Sequence, residues 1–254
     1  MQQSIDTIYD IIKDYRNDDG IFITKEHIQE WALQFGDDAT FVLREFAHII
    51  GQVYLSKKEG YQYLEAVLDF LQKEYKEHDL ELLLQKTCFL RLQPSGKSQH
   101  VLVDMLDEIV YAKLNKHICE YDSYRKVHYI YVDDVLASGK TVADNLISWI
   151  GQGNRLEDLK SKNIDLKVIV MCRHQLGMEL QMFRISKCFN EVDAYKIIDI
   201  RSCYVIENNG FHPHPGTSHQ YTIGQLLGTF RQVKKCVPIP KVLYLGFTIP
   251  KGLV

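Results

Sequence analysis

Residues 128–141 (HYIYVDDVLASGKT) contain the residue types that bind a sugar phosphate. An apolar run at 129–132 is typical of a buried strand, and Asp133 and Asp134 follow at its carboxyl end. Paired carboxylates can accept hydrogen bonds from two neighbouring hydroxyl groups or hold a hydrated Mg²⁺ ion. The small-residue loop after them opens a helix, whose free backbone N–H groups suit a phosphate. The spacing therefore predicts a ribose 5-phosphate site. Its phosphate-binding residues would be Ala137, Ser138, Gly139, Lys140 and Thr141.

The same residues also allow a simpler interpretation. They could form an ordinary connection between a strand and a helix, with Thr141 as the helix cap and two solvated acids. A P-loop for nucleoside triphosphates is excluded, because that loop requires a glycine five residues before its Gly-Lys pair. The pairs that begin at Gly139 and Gly96 have Asp134 and Arg91 at that position.

Residues 128–141 resemble the signature with which type I phosphoribosyltransferases bind 5-phosphoribosyl 1-diphosphate (PRPP). That signature is an apolar strand, two acids, a short loop of small residues and a closing threonine, and the likeness is continuous over about fourteen residues. The resemblance implies PRPP or a related ribose-phosphate nucleotide as the ligand and Mg²⁺ as the cofactor. It also implies that Asp133 and Asp134 are the catalytic residues, which would hold the ribose and, indirectly, the metal.

A second loop, residues 93–99 (QPSGKSQ), joins the first strand of the predicted α/β part to its first helix. In the type I family this turn binds the pyrophosphate group. Small residues, free N–H groups and one cation suit a diphosphate for the same physical reasons as the first loop. The alternative is an ordinary surface loop with a serine helix cap. The diphosphate-binding residues would be Ser95, Gly96, Lys97 and Ser98.

One feature argues against a standard transferase. Type I enzymes carry a long mobile loop that closes over PRPP and excludes water, whereas the predicted helix 99–119 reaches the PRPP strand through residues 120–126 alone. Transfer at the anomeric carbon is sensitive to water, so the loss of this lid matters. Two functions stay open: a Mg²⁺-dependent phosphoribosyltransferase or nucleotide-consuming transferase, and a non-catalytic module that senses a nucleotide or docks a partner.

The chain as a whole resembles divergent phosphoribosyltransferase-like proteins of bacterial conflict and anti-phage systems, including retron-linked effectors. The likeness includes ITKEHIQEWALQF within residues 21–35, the YLS turn at 54–56, FLRLQPSGKSQH and VDDVLASGKT. It implies an effector in a defence or toxin–antitoxin system, with a protein or RNA–DNA partner. Such relatives extend further at the C-terminus, and the apolar end of the sequence is compatible either with missing C-terminal sequence or with the end of a domain.

Apolar patterns divide the chain into two predicted domains. Residues 1–82 contain several short amphipathic stretches and are predicted to form a helical module, with a winged-helix shape as one option. Residues 83–254 alternate between strand and helix patterns, which is typical of a parallel sheet covered by helices. The predicted fold is therefore α/β, of the type I phosphoribosyltransferase-like kind, with an irregular C-terminal hood region. Strands are expected at 83–92, 127–132, 164–172 and 195–200, and helices at 99–119, 141–150 and 175–187.

Composition limits the partners and the compartment. The net charge of −3 provides no global positive field for nucleic acid or anionic lipid, although a third hypothesis assigns nucleic-acid binding to residues 1–85. The six cysteines form no CxxC pair, so reduced thiols are expected. The N-terminus lacks the apolar region of a signal peptide, and no apolar run is long enough to span a bilayer. A cytoplasmic protein without a membrane partner is expected.

Weaker candidates lie later in the chain. The segment FHPHPGTSH at 211–219 could bind a transition metal through three histidines, could be a mobile loop, or could be the hood that recognises a base. The histidines are His212, His214 and His219. Four polar residues are predicted at the ligand side of later strands, or as simple rim residues: Arg173, His174, Asp199 and Arg201.

Overall fold

The computed structural model describes residues 1–206, except residues 16, 18, 19 and 191 and the side chains of residues 52 and 53. The described residues divide into two compact units, 1–60 and 61–206. Across this part of the chain, no helix is both long enough and apolar enough to cross a membrane.

The described part of the first unit is helical. Its main helices are α1 (Gln2–Ile12), α2 (Lys25–Leu33) and α3 (Ala39–Val53), and the unit ends within α4 (Lys57–Glu74). Apolar residues spaced three or four apart form one stripe on each helix, and the stripes pack into a single core. Helix α2 begins at Thr24, whose hydroxyl accepts a hydrogen bond from the His27 N–H at 3.3 Å. No strand lies among the described residues of this unit.

The second unit contains a sheet of four parallel strands in the order β1 (Thr87–Phe89), β2 (His128–Leu136), β3 (Asp165–His174) and β4 (Asp199–Ile206). Helix α5 (Leu80–Lys86) precedes the sheet. The crossovers contain α6 (Ser98–Leu114), then α7 (Lys140–Ile150) with α8 (Arg155–Lys160), then α9 (Gln175–Cys188) with α10 (Ala194–Ile197). The predicted α/β fold, a parallel sheet flanked by helices, is confirmed.

Several predicted strand limits are wrong. Residues 83–86 belong to α5, because the Asp79 carboxylate accepts hydrogen bonds from the N–H groups of Glu81 and Leu82 and starts a helix before the strand. The Asp193 carboxylate starts α10 in the same way, so residues 195–197 are helical. A short apolar run does not by itself distinguish a buried strand from a buried helix.

Helix α5 and most of α4 lie in the same compact unit as the sheet. Residues 61–82, which the sequence assigns to the helical module, therefore pack within the second unit. The domain boundary predicted between 82 and 83 stays a prediction, because packing does not reveal which segments form independent modules.

A polar network connects α4 to the amino-terminal edge of the sheet. The Lys167 ammonium lies 2.9 Å from the Asp199 carboxylate and 3.3 Å from that of Glu74. The Tyr75 hydroxyl donates to Asp165 at 2.5 Å, and its ring stacks on His128. Because the Lys167 side chain is only 9% exposed, its charge depends on these partners.

We expect Lys167→Met to lower the free energy of unfolding by about 1–2 kcal/mol, since Glu74 and Asp199 lose their buried cation and keep only the half-exposed Arg201. Urea denaturation at pH 7 measures this difference. Lys160→Met is the matched control, because Lys160 pairs with Glu157 in an exposed position and should change stability by less than about 0.5 kcal/mol. Equal stability losses in the two variants would contradict this prediction.

Candidate functional site

Asp133 and Asp134 lie near the carboxyl end of β2, at the edge of the sheet where parallel α/β folds bind ligands. The strand continues through both acids to Leu136, so they do not follow the strand as predicted. Successive strand residues point to opposite faces, and the backbone therefore directs the two side chains apart. The Ser98 hydroxyl nevertheless reaches both, at 2.9 Å from Asp133 Oδ1 and 3.2 Å from Asp134 Oδ1.

The turn that precedes α6 brings further donors to the acids. The Gln93 amide donates to Asp133 Oδ2 at 2.6 Å and to the Tyr131 hydroxyl at 2.9 Å. The turn itself is fixed by Gln99, whose buried Oε1 accepts hydrogen bonds from the N–H groups of Leu92 and Gln93 at 2.8 and 2.9 Å. The predicted diphosphate loop and the predicted ribose-binding acids are thus in direct contact.

The phosphate-binding loop predicted from the sequence lies on the same edge of the sheet. Gly139 is the N-cap of α7 with a φ of +67°, a conformation that favours glycine. The first bond of the helix runs from the Ala143 N–H to the Gly139 carbonyl at 2.9 Å. The N–H groups of residues 140–142 therefore precede the helical bonding pattern and lie at the positive end of the helix dipole, where that of Lys140 donates to the Ser138 hydroxyl at 3.4 Å. The side chains of Ala137, Ser138, Lys140 and Thr141 are exposed.

Helix α9 supports this loop from behind. The Gln181 amide donates to the Ser138 carbonyl at 3.0 Å. A Cβ atom placed on Gly177 would lie 1.9 Å from the Ala137 carbonyl oxygen, so only glycine permits this approach. The His174 ring accepts a hydrogen bond from the Gly177 N–H at 3.3 Å and caps the same helix.

It costs free energy to ionise both carboxyl groups in this environment. Burial, followed by the charge of Asp133, raises the pKa of Asp134 to about 7. Asp133 is only 4% exposed. Among the described residues, no lysine or arginine pairs with either acid, and their partners are the neutral groups of Gln93, Ser98 and the backbone. As far as the structure describes the chain, the two acids therefore lack a neighbouring positive charge.

Some of the other predicted site residues lie at the carboxyl edge of the sheet, and others do not. Ser95, Gly96 and Lys97 are exposed in the same turn as Ser98, and their role with a diphosphate stays a prediction. Arg173 and His174 lie at the carboxyl end of β3, on the expected side. Asp199 and Arg201 were predicted there too, which is wrong, because β4 begins at Asp199 and both lie toward the opposite edge. The histidines of the metal and hood predictions fall in 211–219, outside the described residues.

The connection from α6 to β2 enters the sheet at the edge opposite the acids. Its only regular element is a short 3₁₀ turn, Ile118–Tyr121. The Lys126 ammonium donates to the carbonyls of Leu84 and Tyr121 at 2.9 and 2.7 Å, far along the strand from Asp134. This segment therefore holds the start of β2 and does not cover the site.

Three important residues were not recognised from the sequence. Gln93, Gln99 and Tyr131 are buried residues whose polar groups position the acids. The first two lie at the ends of the predicted loop 93–99, but a lone glutamine or tyrosine carries no spacing signal that would reveal this role. Gly177 was not recognised either, because a glycine in a helical pattern reveals its purpose only through the neighbour that it contacts. No group of three or more histidine, cysteine or acidic side chains that could hold a metal occurs in the described part of the chain.

Comparison with known proteins gives one match. The family model described as PRTase-CE matches residues 28–225, which is more than three quarters of the chain and includes both loops of the site. No curated protein and no solved structure matches the chain.

We expect Gly177→Ala to lower the free energy of unfolding by about 2 kcal/mol, because the new methyl group must displace the Ala137 carbonyl or α9. Chemical denaturation measures the loss. Gly51→Ala is the control: its added methyl group would lie at an ordinary distance of 3.5 Å from the Ile11 side chain of α1, so the variant should be neutral or stabilise by about 0.5–1 kcal/mol. A neutral Gly177→Ala would show that the loop is not held closely by α9.

The raised pKa of Asp134 predicts a pH-dependent stability. Between about pH 4 and pH 7 the folded protein binds more protons at this residue than the unfolded chain does, so stability should fall as the pH rises and level off above pH 7. Asp134→Asn removes this cost and should be more stable than the wild type by about 2–4 kcal/mol at pH 8, with a difference that vanishes toward pH 4. Denaturation midpoints across this range test it.

The control for the pH series is Asp104→Asn, which removes an exposed carboxylate on α6 that pairs with Arg91. Its stability difference from the wild type should stay within about 0.5 kcal/mol at every pH. Parallel curves for the wild type and Asp134→Asn across the whole range would contradict the raised pKa.

Proposed function

We propose a ligand for this chain, which belongs to the PRTase-CE family of phosphoribosyltransferase-like proteins: PRPP, or a related ribose-phosphate nucleotide, bound at the carboxyl edge of the sheet. The observation that carries the proposal is the position of the Ser98 hydroxyl, within hydrogen-bond distance of both Asp133 and Asp134. This contact unites the loop that suits a diphosphate with the acids that suit a ribose. The two parts of PRPP need these two kinds of group side by side.

Each part of the ligand has residues that suit it. The 5′-phosphate would bind the N–H groups at the start of α7 and the hydroxyls of Ser138 and Thr141. The ribose hydroxyls would donate hydrogen bonds to Asp133 and Asp134. The diphosphate would lie against the turn at 95–98, where Gly96 has a φ of +81° and Lys97 provides a positive charge.

The acids also fit a magnesium ion bound through water or through the ligand. Two carboxylates without a cationic partner among the described residues are suitable oxygen ligands, while the absence there of a third acidic or histidine side chain argues against a cage built from protein alone. Bound Mg²⁺ would offset the charge of the diphosphate and of the acids. Asp133 and Asp134 would hold it, and Ser98 would keep both carboxylates oriented.

Two activities are candidates: transfer of the phosphoribosyl group to an acceptor, and binding of the ligand without transfer. In a transfer, the bond between C1 of the ribose and the pyrophosphate oxygen breaks with its electron pair on pyrophosphate, and a nitrogenous base bonds to C1 and loses a proton. The connection before β2 favours binding without transfer, because it lies at the opposite edge and cannot exclude water. Pyrophosphate release on incubation with PRPP, Mg²⁺ and nucleobases decides between the two.

We also propose a role in bacterial defence, which does not affect the ligand proposal. It rests on the resemblance of the N-terminal helices and the two loops to conflict-system proteins, which also implies a protein or RNA–DNA partner. If the chain is an effector that consumes a nucleotide, its expression in bacteria should slow growth, and Asp134→Asn should restore it. Equal growth of cells that express the wild type and Asp134→Asn at equal protein levels would refute the defence role and leave the ligand proposal intact.

We expect calorimetry to show binding of PRPP in the presence of Mg²⁺ and at least a tenfold weaker affinity for Asp134→Asn and Asp133→Asn, because each variant loses a charged hydrogen-bond acceptor. The affinity of the wild type should fall below pH 7, where Asp134 binds a proton that the ligand or metal must displace. Asp104→Asn is the control and should bind as the wild type does. Equal affinity in all four proteins would refute the proposed site.

A further inference from the structure

Helix α9 has apolar side chains on two opposite faces. Its inner face packs into the core of the second unit through Met178, Met182 and Ile185. Its outer face has an apolar stripe of three residues that are 43%, 55% and 62% exposed: Leu176, Leu180 and Phe183. Spacings of four and three residues align these side chains along the helix. Because a helix that is apolar on both faces is normally buried on both, the outer stripe indicates a docking surface.

The neighbouring helices leave the outer stripe open. Helix α7 packs along one flank of α9, where the Arg184 guanidinium lies 2.5 Å from the Asp144 carboxylate. Helix α10 packs along the other flank, where the Ala194 N–H donates to the Ser186 hydroxyl at 3.1 Å. Helical geometry puts Arg184 and Ser186 on either side of the stripe. The stripe therefore points away from the described part of the second unit.

Two charged residues on the outer face give the surface a direction. Glu179 is exposed in the first half of α9, and Lys187 is exposed in the last turn, with its ammonium 5.4 Å from the centre of the Phe183 ring. Phe183 is four residues from each of them. A second α9 that packs antiparallel across Phe183 would therefore put Glu179 opposite the partner's Lys187, twice by symmetry. A parallel second helix would put like charges together.

We propose that the outer face of α9 is a self-association surface, on which a second copy of this chain docks through its own α9 in antiparallel orientation. The apolar stripe of each copy would cover the other, with Phe183 near the two-fold axis and an ion pair between Glu179 and the partner's Lys187 at each end. One helix pair buries less surface than the roughly 1,200–2,000 Å² of a standard interface, so we expect a Kd on the order of 10 µM.

This surface is separate from the proposed ligand site. Helix α9 contacts the loop before α7 through Gly177 and Gln181, which lie on the part of the helix that faces away from the stripe. The inference therefore goes beyond the proposed function and does not depend on it. The free protein can be used to test the dimer, without any ligand.

Sedimentation equilibrium of the full chain, from about 1 to 200 µM, measures self-association across the expected Kd. We expect the wild type to change from the mass of one chain to that of two over this range. Phe183→Glu should stay monomeric, because it would bring two carboxylates together at the axis. Phe22→Glu is the matched control: Phe22 is 65% exposed in the first unit, so this variant should dimerise as the wild type does.

Charge reversal tests the antiparallel order. Glu179→Lys and Lys187→Glu should each weaken the dimer about tenfold, because like charges then meet at both ends of the helix pair. The double variant restores opposite charges and should return the Kd to within about threefold of the wild-type value. Thermal unfolding at about 1 µM, where all the proteins are monomeric, should give similar midpoints for these exposed substitutions.

Several results would overturn the proposal. A wild type that stays monomeric over the whole range has no such surface, and if Phe183→Glu also unfolds at a clearly lower temperature, residues of the same chain cover the stripe. A dimer that Phe183→Glu leaves intact, or that Phe22→Glu weakens equally, forms through another surface. A double charge variant that associates no better than the two single variants would refute the antiparallel pairing.

Discussion

Two carboxylates lie together at a partly buried edge of the sheet, and in the described part of the chain only neutral donors hold them. Asp133 is bonded by Gln93 and Ser98, and Asp134 by Ser98 and the Val135 N–H. Both acids cannot ionise there without cost, which is why burial and the neighbouring charge raise the pKa of Asp134 to about 7. A group that donates hydrogen bonds or carries positive charge relieves that cost. In the proposed complex, a sugar diol or a hydrated cation would be that group, and its binding would stabilise the folded protein.

The rest of the second unit keeps this pair in place. The parallel pairing of β1 with β2 puts the end of β1 beside Ile130, so the turn that follows reaches the acids three to four residues further on. Gln99 accepts hydrogen bonds from the backbone of that turn, and α9 packs through Gly177 against the loop that precedes α7. The polar network around Lys167 connects α4 to the amino-terminal edge of the sheet, whereas none of the described residues forms an ion pair with Asp133 or Asp134. This network and the proposed ligand site thus lie at opposite ends of the same strands.

Much of this arrangement follows from the sequence, because β2, its acids and the start of α7 are contiguous and each has a local signal. The α/β order was predictable for the same reason, since strand and helix patterns alternate along the chain. The limits of β1 and β4 were not predictable, because Asp79 and Asp193 cap short helices inside apolar runs. The role of Gln93 could not be found either. It depends on a contact with Asp133, which lies far along the chain and becomes a neighbour only in the folded sheet.

Within residues 1–206, the connection before β2 does not cover the acids, and this difference from an ordinary type I transferase is why our proposal favours binding without transfer. A crystal structure of the protein soaked with ribose 5-phosphate and Mg²⁺ would show whether the acid pair binds a ribose. We predict phosphate density at the N–H groups of residues 140–142 and ribose hydroxyls within hydrogen-bond distance of Asp133 and Asp134. Ligand density at another edge of the sheet, or an unliganded acid pair in crystals that contain the ligand elsewhere, would contradict it.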